Sequence, residues 1–412
     1  MKPILIIGGG ISGITTAVEA AETGYEVIIV EKLSYLGGRV VKMNQYFPKL
    51  CPPYCGLEIN FRRIRQNKNI QVYTSAQIVS ISGEKGNYIA KIKYAPKYVN
   101  NNCTSCGKCM EVCPVERKDE FNYNLKSTKA IYLPHEMAFP YKYTIDDSVC
   151  KKENCKKCLE VCEYNAIDFS ANEVINELLV SAIIIATGWK PYNPEKLDKL
   201  SYNQSKNVIT NVEMERLAAP NGLENGSIKR LSDKEIPKNI AFIQCAGSRD
   251  ENHLPYCSGV CCSASLKQAI NYTEKVKDGK ATIFYIDLRV TGRNEDLLKK
   301  VEKNQNISLI KGKSSNIIET KNNNLIVEAE DIMSGKKIKQ EFDLVVLATG
   351  IVPEKTDLDI LDVDEFGFAK KNKMDEGIIP VACVTEPMDV SASLKDATGA
   401  ALKAIQIINN SA

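Results

Sequence analysis

Short apolar runs recur along the chain, separated by stretches whose apolar residues are spaced as on one face of a helix. Runs of this length, bounded by glycine and polar residues, predict buried strands. We expect strands at Ile4–Ile7, Tyr25–Val30, Ala182–Ala186, Ile240–Gln244, Ala281–Ile286, Leu344–Ala348 and Ile379–Cys383. We expect helices at Ile14–Glu22, Ser263–Val276 and Ser391–Ile408. Alternating strands and helices predict an α/β fold with mostly parallel sheets.

A glycine-rich turn follows the first apolar run, with the spacing Gly8-x-Gly10-x-x-Gly13. In such a turn the first glycine permits the tight bend, the second lets backbone amides approach a pyrophosphate, and the third lets helix and strand pack closely. Glu31 ends the second predicted strand twenty-three residues after Gly8, where an acidic side chain binds a ribose. The pattern therefore predicts a dinucleotide site.

Three further features favour FAD as the dinucleotide. The Gly37-Gly38-Arg39 turn resembles the GG-R turn of flavoproteins with two dinucleotide-binding domains, and the two strands ending in Ala-Thr-Gly resemble their strand ends near the flavin. The resemblance also implies that the last helix starts beside the flavin, where its dipole would stabilise an anionic reduced form. The predicted FAD-binding residues are Gly8, Gly10, Ile11, Ser12, Gly13, Glu31, Lys32, Gly37, Gly38, Arg39, Ala186, Thr187, Gly188, Thr349, Gly350, Pro387, Asp389 and Val390.

Fifteen cysteines and only two histidines indicate thiolate ligation of metal rather than a disulfide framework. Cys103-x-x-Cys106-x-x-Cys109-x-x-x-Cys113-Pro114 is the run typical of bacterial ferredoxins. A second run follows at Cys150, Cys155, Cys158 and Cys162, with Glu163 in place of the proline. Neither run has the paired knuckles of a zinc ribbon. The two runs therefore predict two [4Fe–4S] clusters.

The ferredoxin resemblance further implies crossed ligation. One cluster would take Cys103, Cys106, Cys109 and Cys162, and the other Cys113, Cys150, Cys155 and Cys158.

The predicted strand at Ile240–Gln244 opens a second β-α-β pattern, which in related flavoproteins binds NAD(P)H, but no glycine-rich loop follows it. Four cysteines stand there instead, at Cys245, Cys257, Cys261 and Cys262. We expect a third [4Fe–4S] cluster; a redox disulfide and inert buried thiols are the alternatives. Cys51 and Cys55 are candidate redox thiols, cluster ligands or packing residues, and Cys383 has no assigned role.

Composition excludes some classes of function. A formal net charge of +3 gives no polyelectrolyte surface for nucleic acid, and no apolar run is long enough to span a membrane. The first apolar residues already belong to the glycine-rich fold, so we expect no signal peptide and a cytoplasmic protein.

The predicted domains are a FAD-binding domain in three parts, 1–95, 169–235 and 339–412, a ferredoxin-like insertion at 96–168, and a degenerate NAD(P)-type domain at 236–338. The fold expected is thus a Rossmann-like flavoprotein with two dinucleotide-binding domains and an inserted two-cluster ferredoxin.

This combination resembles the A subunits of heterodisulfide reductases. More narrowly, Tyr46–Arg65 and Tyr132–Pro140 resemble the QmoA subunits of quinone-interacting membrane-bound oxidoreductases of sulfate reducers. That resemblance implies an electron-transfer subunit on the cytoplasmic membrane face, relaying electrons between adenylylsulfate (APS) reductase and a menaquinone-reactive membrane subunit. The alternatives are a flavin subunit of the heterodisulfide reductase A type, a self-sufficient NAD(P)H-dependent disulfide or quinone reductase, and a scaffold whose clusters only stabilise the fold.

Overall fold

The first 95 residues build half of a dinucleotide-binding fold in the computed structural model, which describes residues 2–356 and 358–411. Its elements are β1 (Ile4–Ile7), α1 (Ile11–Glu22), β2 (Val27–Glu31), α2 (Pro53–Gln66), β3 (Ile70–Thr74), β4 (Ala76–Glu84) and β5 (Asn87–Tyr94). β1, β2 and β3 pair in parallel, and β4 and β5 are antiparallel. Helix α1 buries Ile14, Ala17, Val18 and Ala21 on one side, which is the helical spacing of a face packed on a sheet.

The insertion is a small unit of hairpins and single-turn helices. Its elements are α3 (Lys108–Glu111), β6 (Glu116–Lys118), β7 (Ser127–Lys129), β8 (Ile131–Tyr132), β9 (Thr144–Ile145) and α4 (Lys157–Glu160). Each helix follows a residue in the left-handed region, Gly107 (φ 90°) before α3 and Lys156 (φ 53°) before α4. The two helices pack against each other.

The insertion is also joined to the FAD-type domain by its own side chains. Phe121 and Ala138 belong to the same buried core as β1 and α1. Phe139 stacks on Phe61 of α2 with ring centroids 5.1 Å apart, and its carbonyl accepts a hydrogen bond of 2.8 Å from the Leu36 amide. The segment is therefore part of the domain wall rather than a surface excursion.

The chain then returns to the first sheet through β10 (Val174–Val180), β11 (Ala182–Ile185) and β12 (Trp189–Pro191). β10 pairs antiparallel with β5, and β11 pairs in parallel with β1.

A second parallel sheet forms the middle of the molecule. Its domain contains β13 (Val208–Thr210), α5 (Asn211–Ala218), β14 (Asn239–Ala246), α6 (Cys261–Lys275), β15 (Lys280–Tyr285), α7 (Glu295–Glu302), β16 (Ile307–Lys311), β17 (Ser314–Glu319), β18 (Leu325–Asp331), β19 (Lys336–Phe342), β20 (Leu344–Thr349) and β21 (Ile351–Pro353). The order is β13-β20-β14-β15-β16, and β17, β18 and β19 form a separate antiparallel sheet.

The last elements are β22 (Ile378–Pro380) and α8 (Val390–Ser411). β22 pairs in parallel with β11, so the first sheet has the order β22-β11-β1-β2-β3. Helix α8 packs on α1 over this sheet. Among the described residues, no helix is both long and apolar enough to cross a bilayer.

The structure corrects two predicted boundaries. β13, expected in the FAD-binding part 169–235, pairs with β20, and β20, expected in the part 339–412, lies at the centre of the second sheet beside β14. The predicted strand Ile379–Cys383 ends at Pro380, because Ala382 adopts a left-handed backbone (φ 58°) within a turn. The two apolar strands that end in Ala-Thr-Gly look alike in sequence, although β11 lies in the first sheet and β20 in the second.

Candidate flavin and iron–sulfur sites

A cavity of about 690 Å³ opens between the first sheet, the middle domain and the start of α8. This volume lies within the range of cofactor pockets, roughly 300–1,000 Å³. The glycine loop after β1, the end of β11 and the first residues of α8 line one side, and residues of α5 and α6 line the other. The cavity therefore spans both sheets of the molecule.

The glycine loop leaves a cradle that side chains would fill. A Cβ on Gly8, whose φ is 108°, would lie 2.4 Å from the Ala186 carbonyl oxygen. A Cβ on Gly13 would lie 2.0 Å from the Gly8 carbonyl oxygen, and one on Gly38 would lie 2.9 Å from Gly10 Cα. The loop thus leads into the N-terminus of α1 without side chains in the way, as pyrophosphate binding requires.

Glu31 stands at the end of β2 with both carboxylate oxygens held by backbone amides. Oε2 accepts a hydrogen bond of 2.6 Å from the Gly9 amide, and Oε1 accepts one of 2.8 Å from the Leu33 amide. Burial raises the pKa of the carboxyl group, and these amides oppose that effect. The side chain lines the cavity, where it can accept hydrogen bonds from ribose hydroxyls.

The cavity brings together most of the predicted FAD-binding residues. Its lining includes Gly8, Gly10, Ile11, Ser12, Glu31, Lys32, Gly38, Arg39, Ala186, Thr187, Gly188, Asp389 and Val390. Gly13 and Gly37 lie behind the lining, and the Gly37 amide donates to the Gly9 carbonyl at 2.8 Å. Pro387 is outside the lining.

Thr349 and Gly350 do not line the cavity, contrary to the prediction. They end β20 beside the cysteine loop of the middle domain. A Cβ on Gly350 would lie 2.2 Å from Ser248 Oγ and 2.7 Å from Ser258 Oγ, both residues of that loop. The second Ala-Thr-Gly therefore packs against the loop that replaces a nucleotide site.

Helix α8 begins at the cavity with Asp389 as its capping residue. The Ala392 amide donates a hydrogen bond of 2.8 Å to Asp389 Oδ1. The preceding turn is fixed by a 2.7 Å hydrogen bond from the Ala382 amide to Asp396 Oδ2. Cys383 of this turn is a buried part of the cavity wall, and burial raises the pKa of its thiol. The positive end of the helix dipole therefore faces the cavity.

Several contacts between residues of the cavity wall have no sequence signal. Arg39 donates to the Trp189 carbonyl, and its guanidinium lies 4.9 Å from the centre of the Trp189 ring. Lys42 Nζ donates to the Glu120 carbonyl at 2.9 Å and lies 4.9 Å from the centre of the Tyr123 ring. These contacts join the GG-R turn to β12 and to the insertion. The contacting residues are far apart in the sequence and belong to no common motif.

Lys42 is also a perturbed base. Burial, together with the neighbouring cations Arg39 and Arg216, lowers the pKa of its ammonium group to about 7. An anion bound beside Lys42 would favour its charged form.

A buried ion pair from the middle domain completes the wall. Lys267 Nζ on α6 and Glu215 Oε1 on α5 are 2.6 Å apart. The Asn44 amide donates to Glu215 Oε2 at 2.9 Å, and Lys267 Nζ also donates to the Gln45 carbonyl at 2.8 Å. The pair therefore links the middle domain to the loop that follows the GG-R turn.

The cysteines of the insertion form two separate sets. One small cavity is lined by Cys103, Cys106, Cys109 and Cys162. A second is lined by Cys113, Cys150, Cys155 and Cys158. These sets agree with the crossed ligation implied by the ferredoxin pattern.

The raised pKa values of these thiols show that their ionised form needs a nearby cation. Burial, and then the charge of neighbouring cysteines, raises the pKa of Cys109 to about 12 and that of Cys158 to about 11. Such sulfurs ionise when a cation replaces the proton. Among the described residues, no three or more His, Cys, Asp or Glu side chains are arranged to hold a metal ion. A cube, by contrast, gives each thiolate its own iron.

A third set of thiols lies at the end of β14 and the start of α6. Cys245 has a left-handed backbone (φ 55°) at the end of the strand, and Cys261 and Cys262 are the first residues of the helix. Burial, followed by the charges of Cys262 and Cys257, raises the pKa of Cys245 to about 11. Burial and the charges of the other three thiols also raise the pKa of Cys261. The fold therefore gathers all four cysteines at one place.

All fifteen cysteines of the chain are free thiols. Cys51 and Cys55 are exposed beside the start of α2, and neither lines the flavin cavity or joins a thiol set. Their predicted redox role has no support in this geometry.

Comparison with known proteins shows which proteins this chain resembles. Residues 3–95 match the family of FAD dependent oxidoreductases. The chain is 34% identical over 416 residues to the A subunit of H(2):CoB-CoM heterodisulfide,ferredoxin reductase from Methanothermobacter thermautotrophicus, covering 97% of this chain and 63% of that protein. It is 38% identical over 417 residues to the iron-sulfur A 2 subunit of CoB–CoM heterodisulfide reductase from Methanopyrus kandleri, with the same coverage.

Over nearly its whole length, the chain is similar to the A subunits of heterodisulfide reductases. It spans 63% of the length of the two relatives just described. The predicted resemblance to these subunits is confirmed. The match of residues 3–95 to FAD dependent oxidoreductases agrees with the predicted FAD-binding domain.

Solved structures confirm the fold of this heterodisulfide reductase A-like chain. Thioredoxin reductase of Lactococcus lactis matches with a TM-score of 0.55 at 14% identity, covering all of both chains. Bacillithiol disulfide reductase of Bacillus cereus matches with a TM-score of 0.54 at 11% identity, covering 100% of this chain and 99% of that one. The predicted α/β fold with two dinucleotide-binding domains is therefore correct.

Proposed function

We propose that this protein is an FAD and iron–sulfur electron-transfer component of an oxidoreductase complex, with no organic substrate of its own. The observation that supports the proposal is that the parts of the chain that hold the thiol sets also contribute residues to the flavin cavity. Two sets lie in an insertion whose Tyr123 lines the cavity. The third lies at the start of α6, whose Ala264 and Lys267 also line it. Redox centres arranged on one chain suit electron relay.

FAD would be held by the glycine loop, Glu31, the Gly38-Arg39 turn and the start of α8, all of which line the cavity. Bound there, FAD would exchange electrons singly or in pairs. The buried Lys267–Glu215 pair and the α8 N-terminus would orient its polar edge. Arg39 and Lys42 supply positive charge on the same wall.

Three [4Fe–4S] clusters would account for twelve of the fifteen cysteines. Two belong to the ferredoxin-like insertion with the crossed ligand sets described above. The third would be bound by Cys245, Cys257, Cys261 and Cys262. A redox disulfide among these four is the competing proposal.

The partners proposed are other subunits of a heterodisulfide reductase-like or Qmo-like complex. The relatives are named as A subunits of heterodisulfide reductases. The Qmo-type role, between APS reductase and a menaquinone-reactive membrane subunit on the cytoplasmic membrane face, draws on the two Qmo-like segments. Those segments meet in the structure, since Phe61 stacks on Phe139 and Arg65 lies 5.6 Å from the centre of the Phe139 ring.

The cofactor proposal is tested by counting. Protein purified without oxygen is expected to release one FAD and about twelve irons per chain, since each cube holds four. Cys245→Ser is expected to lower iron to about eight and to leave FAD unchanged. Cys51→Ser is the matched control, because Cys51 is exposed and outside every thiol set. If the unaltered protein holds about eight irons, or if Cys245→Ser loses no iron, the four cysteines of this loop do not bind a cluster. The redox disulfide would then be the better explanation.

The partner proposal needs the assembled complex. The complex carrying this protein, reduced with a menaquinol analogue, should reoxidise when APS reductase and adenylylsulfate are added. A heterodisulfide is the comparison oxidant. Reoxidation by the heterodisulfide alone would assign the chain to the heterodisulfide reductase alternative.

A further inference from the structure

Arg249 lies in the loop between Cys245 and Cys257 and is held in one orientation. Its backbone is left-handed (φ 54°), and its amide donates to the Tyr256 carbonyl at 3.1 Å. On the side chain, Nη2 donates to Asp287 Oδ2 at 2.9 Å. The guanidinium is therefore fixed from both ends, by its own loop and by the segment that follows β15.

The other terminal nitrogen of Arg249, Nη1, is buried and has no hydrogen-bond partner among the described residues. A buried donor left unpaired costs roughly 1–3 kcal/mol, and more when the group is charged. Native structures seldom leave such a group unpaired unless an ion or ligand belongs beside it. We therefore expect a hydrogen-bond acceptor beside this nitrogen of Arg249, preferably one that carries negative charge.

The groups that face this guanidinium are sulfurs of the third set. Its charge acts on Cys245 and Cys262 toward ionisation, and Cys245 and Cys257 act on it in return. Asp287 connects the same groups, because its carboxylate pairs with Arg249 while its carbonyl accepts from Cys262 Sγ at 3.7 Å. The only carboxylate paired with Arg249 in the described structure is that of Asp287.

We propose that Arg249 donates a hydrogen bond to sulfur of the third cluster and raises its reduction potential. The inference rests on the proposed third cluster. On reduction the cluster gains one electron, no covalent bond forms or breaks, and its net charge becomes more negative by one. A fixed cation within contact stabilises that reduced state more than the oxidised state. Hydrogen bonds to cluster sulfurs act in the same direction.

A guanidinium suits this role because it stays charged at every pH at which the protein is folded. The effect of Arg249 on the potential should therefore not depend on pH. A cluster raised in potential beside the flavin would accept electrons from it, and Arg249 would be a positioning residue for that transfer.

The test is a mediated dithionite titration followed by electron paramagnetic resonance. The third cluster's signal is identified as the one absent from Cys245→Ser. We expect Arg249→Gln to keep its iron and to lower the equilibrium constant for cluster reduction about tenfold, which is 59 mV for a one-electron couple. Arg249→Lys keeps the charge and should recover most of the shift. Arg293→Gln removes one charge from an exposed position of the same domain and should shift nothing.

The outcomes separate this inference from the cofactor proposal. A protein with about eight irons and no third signal contradicts the cluster itself. Full iron with Arg249→Gln behaving like Arg293→Gln contradicts only the role of Arg249. If Arg249→Gln loses iron, the reduction potential of the third cluster is measured in Asp287→Asn instead. Removing that carboxylate leaves the guanidinium as an unbalanced cation, so the potential should rise, and an unchanged or lower potential would overturn the inference.

Discussion

Single glycines decide whether the flavin cavity can exist at all. At Gly8 and Gly13 the space for a Cβ is already taken by carbonyl oxygens 2.4 Å and 2.0 Å away. The carbonyls belong to the very strand ends that form the dinucleotide cradle. These positions are therefore constrained by covalent geometry rather than by side-chain chemistry, which is why the spacing of glycines alone identifies them.

We predict that Gly13→Ala abolishes FAD retention, whereas Gly399→Ala does not. Both glycines lie within helices, Gly13 in α1 and Gly399 in α8. A Cβ at Gly13 meets the Gly8 carbonyl, but one at Gly399 meets nothing within 4 Å. Gly399→Ala should raise stability by about 0.5–1 kcal/mol, since alanine favours helix. Flavin content after gel filtration and the unfolding midpoint measure both effects. Equal flavin content in the two variants would disprove the prediction.

Other residues of the site could not be found from the sequence. Lys42 contacts Tyr123 only because the insertion folds back onto the GG-R turn, and Trp189 reaches Arg39 of that turn from β12. Glu215 and Lys267 come from two helices of the middle domain and carry no motif. Such contacts depend on long-range packing, whereas the glycine loop and the cysteine runs are local patterns whose chemistry fixes their spacing.

At the scale of elements, the insertion is tied to the two dinucleotide domains by one buried arginine. Arg216 on α5 donates to Asn122 Oδ1 at 2.9 Å, to the Lys42 carbonyl at 3.0 Å and to Asn221 at 2.9 Å and 3.0 Å. Its guanidinium also lies 4.6 Å from the centre of the Phe121 ring. One side chain thus joins the middle domain, the insertion and the GG-R turn.

We predict that Arg216→Met destabilises the protein by about 2 kcal/mol. The change leaves buried acceptors on Asn122, Lys42 and Asn221 without a donor, each costing roughly 1–3 kcal/mol. Part of that loss is offset, because burial lowers the pKa of Arg216 and so marks a desolvation cost that methionine avoids. The midpoint of anaerobic unfolding measures the change. Arg62→Met, at an exposed position of α2, is the control. If the unfolding midpoint of Arg216→Met equals that of Arg62→Met, Arg216 does not stabilise the junction of the three segments.

The thiol sets show how far local pattern extends. The crossed arrangement of the eight insertion cysteines agrees with the implied ligand sets, because each run folds as a short loop and one helical turn. The contact of the same insertion with α2 and the flavin cavity was not predictable, since Phe121 and Phe139 carry no motif.

On the scale of the whole molecule, both sheets contain three successive parallel strands, β1-β2-β3 and β14-β15-β16, with a later strand beside the first of them. Only the first sheet has kept a nucleotide cradle. In the second, β14 ends at Ala246 and α6 begins at Cys261, so fourteen residues replace the tight glycine turn. That loop is ordered against β20 and β21, with the Ile351 amide donating to Ser258 Oγ at 2.8 Å. The apolar runs of β13 and β20 did not reveal their sheet, because buried strands in either sheet have the same composition.

We predict that neither NADH nor NADPH reduces the bound flavin at a useful rate. A pyrophosphate needs free amides at the start of the helix after the first strand. Here Cys261 and Cys262 occupy that start, and their sulfurs contact Thr349 and Asp287 carbonyls at 3.7 Å. Ser248 and Ser258 fill the space over Gly350. The middle domain therefore offers a nicotinamide dinucleotide neither free backbone amides for its pyrophosphate nor space at the end of β20.

The measurement is the flavin absorbance of anaerobic protein mixed with a tenfold excess of either nucleotide, with dithionite as the positive control. Dithionite should bleach the flavin fully and the nucleotides should leave it oxidised over the same time. Rapid stoichiometric bleaching of the unaltered protein by NADH or NADPH would contradict the loss of the nucleotide site. It would favour the self-sufficient reductase alternative, because the electrons would then enter through the middle domain without a partner protein.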